Sequence, residues 1–342
     1  MDTSILNTLS DLAPDLMKEL ELRALVLERV GALAPIGRRA LASRLHVPER
    51  AIRSAADALR EAGCLSQSAS GMELTPRGQT LMEAARAVSG GRRALSSLEL
   101  TLSRKLNIER VCVVPGNADR DETVLREAAH AAAQQIRFLL RDAHVLAVSG
   151  GRTVALTADC VVPAAPADVT VVPAQGGMSG GVMTQANTLA ERFAQKLGAH
   201  YRPLYLPDAL SAMATDELAK LPQVREALEL LQKADVLLYG VGRAEVLANQ
   251  RGLSLPEREL LAREGAVGEA LGFYFDAKGR VVGNWRSLAL RAQELGHQNR
   301  AAIVAAGESK AEAILAVCAH HPHRLLVTDE GAASRMAGLL KL

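Results

Sequence analysis

Aromatic side chains are scarce. Phe, Tyr and Trp make up 3% of the 342 residues, so the chain lacks the ring platforms on which single-stranded nucleic acid stacks. Cysteine is equally sparse: Cys64, Cys112, Cys160 and Cys318 stand far apart, without a CxxC pair or a metal-ligand spacing. That excludes a disulfide framework and leaves four small hydrophobes in a reducing compartment. No charge of one sign dominates, because 40 Lys and Arg against 38 Asp and Glu leave a formal +2. Long apolar runs are missing too. The longest uncharged stretch, 169–190, is broken by Pro173 and two glycine pairs, which excludes a membrane span. Met1-Asp2-Thr3-Ser4 has none of the basic and apolar pattern of a signal peptide, so a cytoplasmic protein with no membrane partner is expected. Histidines cluster only at His320, His321 and His323, where Pro322 interrupts helical spacing. The cluster reads as a polar turn. With no Ser/His/Asp arrangement and no paired metal ligands, no catalytic residue, metal or cofactor is expected.

What is present is aliphatic. Apolar residues account for 49% of a chain whose length suggests two domains. Pro14 to Leu33 spaces Leu16, Leu20, Leu22, Leu25, Val26, Leu27 and Val30 among charges, which predicts an amphipathic helix. Pro35-Ile36-Gly37 breaks the chain, Arg38 to Leu45 restarts it, and His46-Val47-Pro48 breaks it before a third helix from Glu49 to Ala62 that ends at Gly63. This is the helix-turn-helix plan, whose third element enters the DNA major groove. Two short runs around a small polar tip, Cys64 to Leu74, suit a wing hairpin, and Thr75-Pro76 starts a further helix.

Local charge agrees with that layout. From Arg29 to Arg60 there are seven arginines against Glu49 and Asp57. Arg50, Arg53 and Ser54 fall in the first turns of the third helix, where side chains meet base edges, and Arg38 and Arg39 begin the helix that crosses the backbone. A solvated charged face is the alternative. The partner expected is double-stranded DNA. We place a DNA-binding domain at 1–88, a linker helix at 89–108 after a break at Ser89-Gly90-Gly91, and an effector and oligomerisation domain at 109–342. A stripe of Leu95, Leu98, Leu102 and Leu106 suits packing on the second domain or on another subunit.

From Val111 onward, apolar strands alternate with helices, including strands at 111–114, 169–172, 201–206, 236–239, 301–305 and 325–328. This predicts a Rossmann-like α/β domain with a mostly parallel sheet, which binds ligands beyond the carboxyl ends of its strands. Five loops fall at that edge: Ser149-Gly150-Gly151-Arg152-Thr153, Gln175-Gly176-Gly177, Gly240-Val241-Gly242, Gly265 to Glu269, and Gly307-Glu308-Ser309-Lys310. The first reads as strand, glycine loop and helix start, a cradle for phosphate or a steric turn. Lys310 in a first helical turn opposes the helix dipole, a conflict that a bound anion removes. Gln185 and Asn187 either bind a polyol or cap their helix.

Through these loops, and through Gln185-Ala186-Asn187-Thr188 and Leu326 to Ala333, the chain resembles the SorC/DeoR-type bacterial repressors. Pro35-Ile36-Gly37-Arg38-Arg39 and the length narrow the likeness to the branch that regulates central glycolytic genes. The resemblance implies a winged helix-turn-helix joined to a sugar-phosphate-isomerase-like effector domain, assembling as dimers and tetramers and releasing operator DNA when a phosphosugar such as fructose 1,6-bisphosphate binds. It implies effector contacts from Thr153, Gln185, Arg251, Glu269 and Lys310. The branch has threonine where Arg152 stands and arginines where Gln175 and Gln250 stand, so the distal phosphate site is altered. A sugar-phosphate isomerase with an accessory domain is the competing expectation, with Glu269 as its only plausible base.

Overall fold

The computed structural model describes residues 12–68, 70–162, 168–177, 181–207, 212–284 and 301–342. The chain divides into two compact units, Met1–Ser96 and Ser97–Leu342.

The first unit opens with α1 (Pro14–Leu33), α2 (Arg38–Leu45) and α3 (Glu49–Glu61), and α3 gives way to Gly63 in the left-handed region at φ +72. One face of α1 packs on α3 through Val26, Leu27 and Val30, with Leu41, Ile52, Leu59 and Met72 completing a small core. The apolar stripe expected along α1 is only partly buried, because Leu16 and Leu20 remain 65% and 48% exposed. The hairpin of β1 (Leu65–Ser68) and β2 (Gly71–Leu74) is the expected wing. A third rung that composition does not announce is added by Ile36, whose backbone exchanges hydrogen bonds with Met72 at 2.9 and 3.3 Å. Gly71 permits that approach: a Cβ there would lie 2.7 Å from the Ile36 nitrogen. Thr75 caps the next helix by accepting from the Gly78 N–H at 3.0 Å and donates to the Gly63 carbonyl at 2.7 Å. That helix, α4, runs unbroken over Pro76–Leu106. The break expected at Ser89-Gly90-Gly91 is absent, since glycine costs a helix about 1 kcal/mol at each position and neighbouring good formers carry it through. Of the leucine stripe, Leu102 is fully buried, while Leu95, Leu98 and Leu106 are half-buried.

The second unit is a seven-stranded parallel sheet. Its strands are β3 (Arg110–Val114), β4 (Val145–Val148), β5 (Thr170–Pro173), β6 (His200–Tyr201), β7 (Val236–Tyr239), β12 (Ala301–Val304) and β13 (Leu325–Asp329), in the order β3-β13-β12-β7-β4-β5-β6. The central strands are buried along their whole length, which is why they read as continuous apolar runs. The sixth strand is shorter than the expected 201–206: it pairs with β5 only through His200 and Tyr201. Helices α5 (Glu122–Leu139), α6 (Arg152–Cys160), α7 (Ala186–Leu197), α8 (Ala212–Ala219) and α9 (Pro222–Gln232) connect the first five of these strands. From β4 the chain winds outward to β5 and β6; from β7 it winds the other way to β12 and β13. The loops after β4 and β7 therefore diverge, opening a crevice at the topological switch point.

Between β7 and β12 lies an element the sequence reading missed. A four-stranded antiparallel sheet comprises β8 (Gly242–Arg243), β9 (Ala266–Ala270), β10 (Phe273–Asp276) and β11 (Val281–Asn284), with α10 (Ala244–Gln250) and α11 (Leu255–Arg263) inserted. Gly265 to Glu269, expected as a loop, is thus mostly strand. Leu271 and Gly272, both at positive φ (+55 and +88), form the two-residue turn joining β9 to β10. Helices α12 (Ala311–His320) and α13 (Glu330–Leu339) complete the fold; β9 packs so closely on α12 that a Cβ on Gly268 would lie 2.9 Å from the Ala313 Cα. The cysteines carry free thiols, Cys64 and Cys318 buried and the others half-buried. Burial pushes the Cys318 thiol up to about 12. No helix among the described residues is long and apolar enough to cross a membrane.

Candidate functional site

At the carboxyl end of β4 the chain turns through Ser149-Gly150-Gly151 into α6. Gly151 sits at φ +119, and a Cβ on Gly150 would lie 2.8 Å from the Thr184 carbonyl oxygen, so both positions need glycine. Their amides are already engaged: the Gly150 N–H donates to Gln175 Oε1 at 3.2 Å and the Gly151 N–H to the Thr184 carbonyl at 2.9 Å. The glycines therefore brace the loop against its neighbours, the steric role that the sequence left open beside a phosphate cradle. The donors left at this edge are those of the first turn of α6, from Arg152, Thr153 and Val154, which have no carbonyl one turn behind them. They carry the positive end of the helix dipole.

Across the crevice stands Lys310, at the end of a single 3-10 turn, Glu308–Lys310, that leads into α12. Burial pushes its ammonium below the usual lysine range; Asp119 and Asp329 oppose that shift, and Arg152 adds to it. Both aspartates are committed to the backbone. Asp329 accepts from Ala118, Gly307 and Ala332 N–H at 2.6, 2.9 and 3.1 Å, and Asp119 accepts from the Ser309 N–H and hydroxyl at 2.7 and 3.1 Å. No carboxylate lies within 4 Å of the Lys310 ammonium among the described residues. The other cations of the crevice are paired: Arg152 with Glu122, Arg243 with Glu245 at 3.5 Å, and Arg251 with Glu269 at 2.8 Å.

The last pair forms the far wall. Glu269 on β9 and Arg251 after α10 have side chains 4% and 6% exposed, and Glu269 Oε1 also accepts from the Gly272 N–H at 2.6 Å. Gln185 enters at the start of α7 and Gln250 at the end of α10. Together these groups enclose a cleft of about 550 Å³ that contains Gly150, Gly151, Arg152, Thr153, Gln175, Gln185, Gln250, Arg251, Glu269 and Lys310. Gly176 and Gly177 are not in its lining. Gly177 instead donates to the Leu206 carbonyl at 2.7 Å, which extends the sheet edge. Asn187 neither faces the cleft nor caps its helix: it accepts from the Leu204 N–H and the Tyr201 hydroxyl at 3.0 and 3.1 Å and donates to the Leu204 carbonyl. Ser149, which the sequence placed in this loop without a role, accepts from the Gly240 N–H through its hydroxyl at 3.4 Å and ties the two diverging loops together.

The histidine cluster is no exposed turn. His321 and His323 are 7% and 4% exposed, stack at 4.1 Å, and both face the hydroxyl of buried Tyr239. Burial holds both imidazoles below their ordinary range and the Tyr239 hydroxyl well above its own. Among the described residues no group of three or more His, Cys, Asp or Glu is placed to hold a metal ion.

In the first unit, Arg39, Arg50, Arg53 and Ser54 are exposed, and Arg38 is half-buried. Arg38 pairs with Asp57 at 3.6 Å, while Glu49 holds both Arg39 at 3.5 Å and Arg53 at 3.3 Å. The two acids of the basic segment thus orient its arginines.

A winged helix-turn-helix followed by a parallel α/β unit with a polar cleft at its switch point defines a ligand-sensing transcriptional regulator. Residues 93–337 match the family described as "Putative sugar-binding domain", and residues 20–88 match the CggR N-terminal DNA-binding domain. The central glycolytic genes regulator of Priestia megaterium is 34% identical over 339 residues, covering 97% of this chain and 98% of that protein. A SorC family transcriptional regulator from Enterococcus faecalis, of known structure, is 31% identical with a TM-score of 0.65 over 70% of this chain and 99% of its own. The full-length sorbitol operon regulator SorC from Klebsiella pneumoniae shares the fold alone, at 19% identity and a TM-score of 0.65 over 91% of this chain and 97% of that one. The chain belongs to this family of sugar-binding transcriptional regulators, in the branch that carries the CggR-type DNA-binding domain.

Proposed function

We propose that this protein is a cytoplasmic repressor of central carbon genes whose grip on operator DNA is set by a phosphorylated sugar, of the class that includes fructose 1,6-bisphosphate, bound in the Lys310 cleft. The observation that carries the reading is the partly desolvated Lys310 ammonium, with no carboxylate within 4 Å among the described residues, across from the first turn of α6. A phosphate there gains charge-assisted hydrogen bonds from the ammonium, the Thr153 hydroxyl and the free amides of that turn. Sugar hydroxyls then face Gln185 and Glu269. The sensor reading is favoured over an isomerase because the chain carries a DNA-binding domain and its relative is named as a regulator, and Glu269 Oε1 is engaged by Arg251 and Gly272. Arg38, Arg39, Arg50, Arg53 and Ser54 meet the operator, and homodimers or tetramers present two such faces to paired half-sites. A thermal-shift screen of phosphorylated sugars tests the reading. Ligand at 100 times its dissociation constant adds about 2.7 kcal/mol of stability; a screen in which no phosphorylated sugar raises the melting temperature contradicts it.

A further inference from the structure

The phosphosugar reading leaves open how many phosphates the cleft accepts, and its charges bear on that number. We propose that the cleft takes a polyol carrying a single phosphate, and that Gln175 is the residue that closes it to a second. The inference rests on the phosphosugar reading of the same site.

Among the described residues four cations line the cleft, and they are not equivalent. Arg251 is buried and bound to Glu269, so its charge is matched before any ligand arrives. Arg152 and Arg243 sit in exposed pairs with Glu122 and Glu245, their side chains 66% and 48% exposed. Solvent screens the field they can offer an anion, and using them means breaking the pair they hold. Lys310 alone, half-buried, has no carboxylate within 4 Å among the described residues. One cation of that kind serves one phosphate.

The geometry of Gln175 points the same way. Its side chain is buried at 3% exposure, and its carbonyl oxygen receives the Gly150 N–H. Only an acceptor fits that position. Its oxygen is therefore spent on holding the loop, its NH2 group brings no positive charge to the wall it occupies, and Gln250, exposed at the end of α10, is neutral as well. A second phosphate dianion placed between these amides would lose hydration without gaining a cation from either of them. Amides do suit sugar hydroxyls, since each can donate and accept.

Calorimetric titration of the full-length protein separates the possibilities. Fructose 6-phosphate, fructose 1-phosphate, glucose 6-phosphate and ribose 5-phosphate are compared with fructose 1,6-bisphosphate, with inorganic phosphate as the control. The expected result is that the tightest monophosphate binds about tenfold more strongly than the bisphosphate. The Gln175→Arg/Gln250→Arg variant should move that ratio by about tenfold or more toward the bisphosphate. Gln175→Arg also removes the acceptor for Gly150, which weakens both ligands but leaves their ratio to report charge alone. Gln250→Arg by itself, at an exposed helix end, moves the ratio the same way if the double variant does not fold. A wild-type preference for the bisphosphate, or equal changes for both ligands in the variants, overturns the inference and leaves the phosphosugar reading standing. Failure of every phosphorylated sugar to bind the wild type overturns both.

Discussion

The side-chain carbonyl of Gln175 accepts a hydrogen bond from the backbone N–H of Gly150 at 3.2 Å. The contact joins the residue that follows β5 to the loop that follows β4, so the start of α6 is fixed before any ligand arrives. Gln175→Leu removes the acceptor and leaves the Gly150 amide unsatisfied. It should cost about 1–3 kcal/mol of stability and weaken phosphosugar binding. Gln175→Glu keeps an acceptor but buries a charge at a site 3% exposed, which costs stability of its own, and its negative charge should weaken the same ligand. Denaturant unfolding that shows Gln175→Leu as stable as wild type would show that this hydrogen bond does not organise the loop.

Glu49 holds Arg39 and Arg53 on the face assigned to DNA. Arg50→Ala and Arg53→Ala should each weaken operator binding by about 1–3 kcal/mol if the side chain reads a base, or lower the salt slope by about one if it meets a phosphate. Glu49→Gln, which removes a negative charge beside the phosphates, should tighten binding to operator and random duplex alike. Mobility-shift titrations at several salt concentrations check this. Unchanged affinity and slope for both arginine variants would remove α3 from the interface.

His321 and His323 are held neutral by burial. An unfolded imidazole titrates near 6.5, so below that pH the unfolded chain takes up protons that the folded chain does not. Stability should be present in full above pH 6.5 and fall as pH drops, by up to about 1.4 kcal/mol per pH unit for each imidazole. Tyr239 and His320 are the other polar rings facing this pair. Melting curves between pH 7.5 and about 5 should therefore be steeper for wild type than for His321→Gln/His323→Gln. Parallel curves would show that the pair titrates alike in both states.

The parallel sheet was legible in the sequence because its strands are buried on both faces and appear as short apolar runs between helices. Residue types that converge on the cleft were legible for the same reason: strand ends in such a sheet share one edge. The antiparallel insertion was not, because β9 contains Gly268 and Glu269, which interrupt its apolar pattern. The two-residue turn with both φ angles positive falls on Leu271-Gly272, and leucine is seldom found there. The roles of Gly150 and Gly151 stayed open, since a glycine pair looks the same whether it admits a ligand or the Thr184 carbonyl. The buried histidines were read as a polar turn because Pro322 marks a turn, and their partner Tyr239 lies more than eighty residues away in sequence.

Operator binding followed by fluorescence anisotropy, with and without the phosphorylated sugar that raises the melting temperature most, tests the central claim most directly when wild type and Lys310→Met are compared. The account predicts that both proteins bind a glycolytic promoter fragment with equal affinity, and that the sugar phosphate releases wild type but leaves Lys310→Met on the DNA. Release of Lys310→Met at the same ligand concentration as wild type would contradict it.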